Sequence, residues 1–196
     1  MSLPHESSIQ NSATCEFSAE ERRILLALAH EAIIAAFDNR PINLEPPSAH
    51  LAETRGAFTT IYSHGDLHGC VGYVFPVAPL YRTVAETARS AAFEDMRFPR
   101  LTREEAAGLE ISISVLSPIR PIKPEEIEVG VHGLLITSGA YRGLLLPQVA
   151  AEHRWDRTTF LEQTCRKAGL PADAWQRGAA VEAFTAEVFS DGDFRS

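Results

Sequence analysis

A chain of 196 residues with 45% hydrophobic side chains is long enough to bury a sizeable core, and it fits one domain or one core with a smaller lobe. Its 26 acidic residues outnumber 18 basic ones, giving a net charge of −8, and no run of Lys and Arg offsets that balance, which argues against a nucleic-acid partner. No apolar stretch is long enough for a membrane span, and Met1-Ser2-Leu3-Pro4-His5-Glu6 does not begin a signal peptide, so the expected setting is the cytoplasm, away from membranes.

In chain order, residues 1–16 are polar and serine-rich, and are expected to be a mobile tail ahead of a single domain over 17–196. Ser18-Ala19-Glu20-Glu21 reads as a capping box that opens a helix to about Phe37, with Leu25, Leu28, Ala32, Ala35 and Ala36 as its buried stripe. His30 falls nearer the polar side of that helix, and His50 follows a proline-broken loop with no partner pattern. Residues 57–63 predict a strand, and His64-Gly65-Asp66 a hairpin turn into the next one. Pro76 and Pro79 end that strand, and residues 80–94 predict a helix whose Leu80, Val84, Ala88, Ala91 and Ala92 face lies close on a sheet. Thr102-Arg103-Glu104-Glu105 caps a short helix, and residues 110–116 alternate as the clearest strand. The proline-punctuated stretch 117–124 reads as an ordered crossing loop. Two strands near 130–136 and 143–147 meet at Ser138-Gly139, and Asp156 caps a helix to about Ala168 with Gly169 and Pro171 behind it. Residues 179–189 fit one closing strand.

The three cysteines, Cys15, Cys70 and Cys165, are too few and scattered for a disulfide framework, and no Cys-x-x-Cys pair suggests zinc. Cys165 shares a helix face with Leu161 and Ala168 and reads as packing. The stretch Leu67-His68-Gly69-Cys70-Val71-Gly72 stands apart. Strict alternation would put Leu67 and Val71 on one sheet face and His68 and Cys70 on the other. Gly69 and Gly72 remove side chains beside the thiol, as happens where another backbone or a ligand comes close. An unpaired cysteine is equally at home as a small buried hydrophobe, and a reactive one needs a base or positive charge beside it. His64, Asp66, His68 and Cys70 recur at every second position, but about 7 Å separates such neighbours along a strand, so a turn outranks a metal site. There is no glycine-rich phosphate loop, and no metal or other cofactor is expected.

Taken together, these segments resemble the AMMECR1 domain family. Leu67-His68-Gly69-Cys70-Val71-Gly72 is similar to its Leu-Arg-Gly-Cys-Ile-Gly motif, and Arg97-Phe98-Pro99, Gly130-Val131-His132-Gly133, Leu146-Pro147-Gln148-Val149 and Arg166-Lys167-Ala168-Gly169 look like its later motifs in the same order. The resemblance implies an α+β fold, with helices packed on an antiparallel or mixed sheet, a larger and a smaller lobe, and a cleft near the cysteine. It also implies a prokaryotic setting with a Memo-like protein and a radical SAM protein as partners. His68 departs from the motif's arginine, and would stand in for it only when protonated.

Two functions of different class stay open. In the first, Cys70 is a nucleophile or acceptor, with His132 as base, His68 as activator, and Gly69, Gly72, Arg97 and Gln148 around the substrate. In the second, the chain is a non-catalytic module that grips a small molecule or a peptide of a partner protein, and Cys70 is structural. His132 has its own plain alternative, a satisfied histidine at a strand end.

Overall fold

The structure is a computed structural model and describes residues 15–195. The expected tail therefore lies outside the described residues up to position 14. Its last residue, Glu16, is held: its amide donates to the Glu187 carboxylate at 2.7 Å and its own carboxylate pairs with Arg55.

The first helix, α1 (Ala19–Phe37), starts on a reciprocal capping box in which Ser18 Oγ accepts from the Glu21 amide and Glu21 Oε2 accepts from the Ser18 amide. Its buried residues are Leu25, Leu26, Ala29, Ala32, Ile33 and Ala35, a wider band than the expected stripe. The reason is double contact: α1 packs both on α2 (Leu80–Phe93) and on β3 (Leu109–Leu116). Strands β1 (Ala57–Ser63) and β2 (Asp66–Tyr73) form the expected hairpin. His64 and Gly65 have φ of 53° and 89°, the two left-handed central residues of a tight turn matched to strand twist. The segment thus forms the expected turn.

Sheet one has the order β2-β1-β3-β8, with β8 at Ala186–Ser190, and every pairing is antiparallel. The predicted alanine-rich face of α2 lies on it, with Leu80, Val84 and Ala88 fully buried. Full burial of each large apolar side chain contributes about 1.5–3 kcal/mol. After the capped turn α3 (Arg103–Ala106), the chain runs through β3 and crosses by residues 117–119 into sheet two. That sheet has the order β4-β7-β5-β6, from β4 (Arg120–Pro121), β5 (Gly133–Ser138), β6 (Tyr141–Leu145) and β7 (Ala180–Phe184). Helix α4 (Pro147–Glu152), too short to show a periodic pattern in the sequence, and α5 (Arg157–Lys167) lie against it. Cys165 is fully buried in this second core with Leu134, Ile136, Phe160 and Leu161.

The fold is thus α+β, with a larger lobe on sheet one and a smaller one on sheet two. The expected single closing strand is in fact two strands in two sheets, β7 and β8, divided at Thr185. Thr185 and Ser117 hold the crossing together: Ser117 N–H donates to the Thr185 carbonyl, and Thr185 N–H to Ser117 Oγ, both at 2.9 Å.

Candidate functional site

Cys70 sits on β2, which is an edge strand. Its register places Cys70 opposite Thr60, Val71 opposite Thr59 and Gly69 opposite Ile61, but Leu67 opposite Tyr62. His68 is therefore the extra residue of a β-bulge. The alternation inferred from the sequence breaks here: Cys70 and Leu67 share the face of Thr60 and Tyr62, away from α2, whereas His68 is buried with its Nε2 unpartnered among the described residues. His68 neighbours α3, where Thr102 and, more weakly, His68 and His64 hold the Glu105 carboxyl below its ordinary range.

The outward edge of Cys70 is closed by a pair of charged side chains. Asp95 Oδ2 accepts from the Cys70 amide at 3.0 Å, and Arg97 donates to the Cys70 carbonyl at 2.9 Å. The two also bind each other, Arg97 Nε and an η nitrogen reaching the two Asp95 oxygens at 2.9 and 2.7 Å. The Arg97 guanidinium, with the Cys70 and Arg97 amides, holds the Asp95 carboxyl far below the usual carboxylate range despite its burial. Arg97, expected as a substrate ligand, is thus brought to Cys70, but as a clamp on its backbone. Asp95 was missed; the available signal was an acid two residues before Arg97 in a loop.

Other parts of the protein approach the two glycines, on opposite faces of the strand. A Cβ on Gly69 would stand 2.1 Å from the Ala91 carbonyl oxygen of α2, and one on Gly72 would stand 2.3 Å from the Phe58 ring. The close approach expected at these glycines is made by the protein itself, by Phe58 on the thiol's face of the strand and by α2 on the other. Cys70 Sγ, half-buried, accepts from the Thr60 hydroxyl at 3.3 Å.

His132 and Gln148 belong to the smaller lobe. His132 Nδ1 accepts from the Glu128 amide at 2.9 Å, within its own turn. Gln148 is exposed on α4. His132 lines an open cleft of about 680 Å³ between the two lobes, together with Arg55, Arg120, Ile122 and Phe184, and Cys70 is not among its lining residues. The cysteine motif and the histidine motif therefore mark two places.

Near that cleft, His50 stacks on Phe17 with ring centroids 4.7 Å apart, and its Nδ1 meets Glu21 at 2.8 Å. Glu16, His50 and Glu53 lie close enough to share a cation, but Arg55 already pairs with both carboxylates. His30 likewise has a partner, with Nε2 2.9 Å from Asp191.

Fold and site define a two-sheet α+β protein with a clamped edge strand at its cysteine motif. The AMMECR1 family profile matches residues 26–189, and the chain belongs to that family. It is 38% identical over 188 residues to Protein MK0488 of Methanopyrus kandleri, covering 90% of this chain and 91% of that one. A Thermococcus gammatolerans protein is 41% identical over 182 residues, covering 85% and 88%. The crystal structure of the uncharacterized protein PH0010 from Pyrococcus horikoshii matches with a TM-score of 0.66 at 38% identity, over 85% of this chain and 89% of that one. No helix among the described residues is long and apolar enough to cross a membrane.

Proposed function

We propose that this protein is a small-ligand-binding module without turnover at Cys70, and that the cysteine motif is the packed edge of its larger lobe. The observation that carries this reading is the closure of the motif: Asp95 and Arg97 take both outward backbone groups of Cys70, while Ala91 and Phe58 fill the space over Gly69 and Gly72. A nucleophilic cysteine needs a partner that takes its proton. The described partner of Cys70 Sγ is the Thr60 hydroxyl, which donates to it; His132 bonds to Glu128, and His68 is the buried residue of the bulge. The space left for a ligand is the cleft between the lobes, whose volume suits a small molecule. In this reading a Memo-like or a radical SAM protein would deliver the bound molecule or receive it.

The test is a thermal-shift screen of small metabolites against the wild type and Cys70→Ser, a swap that changes little volume. The same compounds should stabilise both proteins to the same degree, and none should be consumed. A compound altered by the wild type but left intact by Cys70→Ser would replace this reading with thiol chemistry.

A further inference from the structure

The cleft between the lobes has two kinds of wall. Ile122 and the buried Phe184 give it an apolar side, while Arg55, Arg120 and His132 bring hydrogen-bond donors. Arg55 is already neutralised by Glu53 and by Glu16, which itself lines the cleft. Arg120 is different: among the described residues no carboxylate lies within ion-pair distance of it. Its backbone is set by β4, where it pairs with Ala183 of β7 on the cleft wall. His132 is oriented as well. Because Nδ1 accepts the Glu128 amide, the neutral ring carries its proton on Nε2, and its remaining edge is a donor. One unneutralised guanidinium and one oriented imidazole N–H beside an apolar wall make a receptor for an anion attached to an apolar body, since the guanidinium fork matches the paired oxygens of a carboxylate or phosphate.

We propose that this cleft binds a small molecule bearing a carboxylate or phosphate group, with Arg120 and His132 on the anion and Phe184 and Ile122 against its apolar part. The proposal rests on the reading of the chain as a ligand-binding module and adds the charge class of the ligand.

The test is an NMR titration of the full ¹⁵N-labelled chain with phenylacetate, phenyl phosphate and the neutral phenylacetamide. One or both anions should shift the amides of Arg120, His132, Ala183 and Thr185 saturably, and the tighter of the two identifies the group. Arg120→Gln, a change at an exposed position, should weaken anion binding about tenfold, as for loss of one charged hydrogen bond, while leaving phenylacetamide unaffected. If phenylacetamide binds as tightly as the anions, or Arg120→Gln retains their affinity, anion recognition is wrong although the cleft still binds ligands. If none of the three probes moves these amides, both the anion site and the ligand-binding reading fall.

Discussion

Gly69 and Gly72 are both free of side chains for steric reasons, but they differ in what stands over them. A methyl at Gly69 would press on the backbone of α2, reaching the Ala91 oxygen at 2.1 Å and its carbonyl carbon at 2.9 Å. At Gly72 the obstacles are the Phe58 ring at 2.3 Å and the backbone of β1, whose Ala57 carbonyl oxygen stands at 2.5 Å. Neither glycine has a positive φ, so sterics alone set the cost. Gly69→Ala and Gly72→Ala are each expected to lose about 3 kcal/mol, the upper end for an overpacked site, because backbone stands over both. Urea unfolding of the two variants measures this, and a loss under about 1 kcal/mol at either would contradict a close approach limited by backbone. The sequence made the close approach legible at both positions; it carried nothing about which element approaches, because α2 begins seven residues after β2 ends and meets it only through the fold.

At the scale of elements, β2 faces the general hazard of an edge strand, whose unpaired N–H and C=O groups invite another chain. This protein closes the edge at Cys70 with the Asp95–Arg97 pair, which satisfies one donor and one acceptor of the backbone. Asp95→Ala leaves both the Cys70 amide and the Arg97 guanidinium without that partner, and should cost about 1–3 kcal/mol. Hydrogen exchange gives a local readout: the Cys70 amide should lose protection while those of Val71 and Gly69, bonded into β1, keep theirs. Unchanged protection at Cys70 would remove the clamp from the account. A second element-scale feature is the division of residues 180–190 between two sheets. Apolar composition identifies a strand there, but a strand that changes sheets keeps the same local pattern on both sides of Thr185, so the switch is invisible until Ser117 is seen to bond with it.

In the whole molecule, the start of the described chain is bound to the larger lobe. Phe17 is buried and stacked on His50, Glu16 meets Arg55 and Glu187, and His50 bridges to Glu21 on α1. Burial opposes charge on His50, but the hydrogen bond and charge of Glu21, with smaller help from Glu53 and Glu16, outweigh it, and its pKa is raised in the folded protein. A raised folded value means that this contribution to stability is complete below the unfolded value of about 6.5 and is lost as pH rises through the folded one. For this part-buried pair, still in reach of solvent screening, the loss should be about 1 kcal/mol or less. The unfolding free energy, followed upward from about pH 6, should show this decline, and His50→Gln should abolish it. A decline that survives the substitution belongs to another group.

By itself the sequence determined the local elements: the capping boxes at Ser18 and Thr102, the His64-Gly65 turn, the Asp156 cap and the apolar face of α2 are all short-range patterns written in neighbouring residues. It also carried the family, because several motifs occur in one order along the chain. Tertiary structure alone decided the site. The bulge at His68 turned it away from Cys70, Asp95 and Arg97 closed on the cysteine from a loop more than twenty residues on, and His132 and Arg120 of the smaller lobe came to line one cleft with Arg55 of the larger. Such contacts depend on register and on how sheets pack, and a one-residue shift in a strand exchanges its two faces without altering the pattern from which the strand was read.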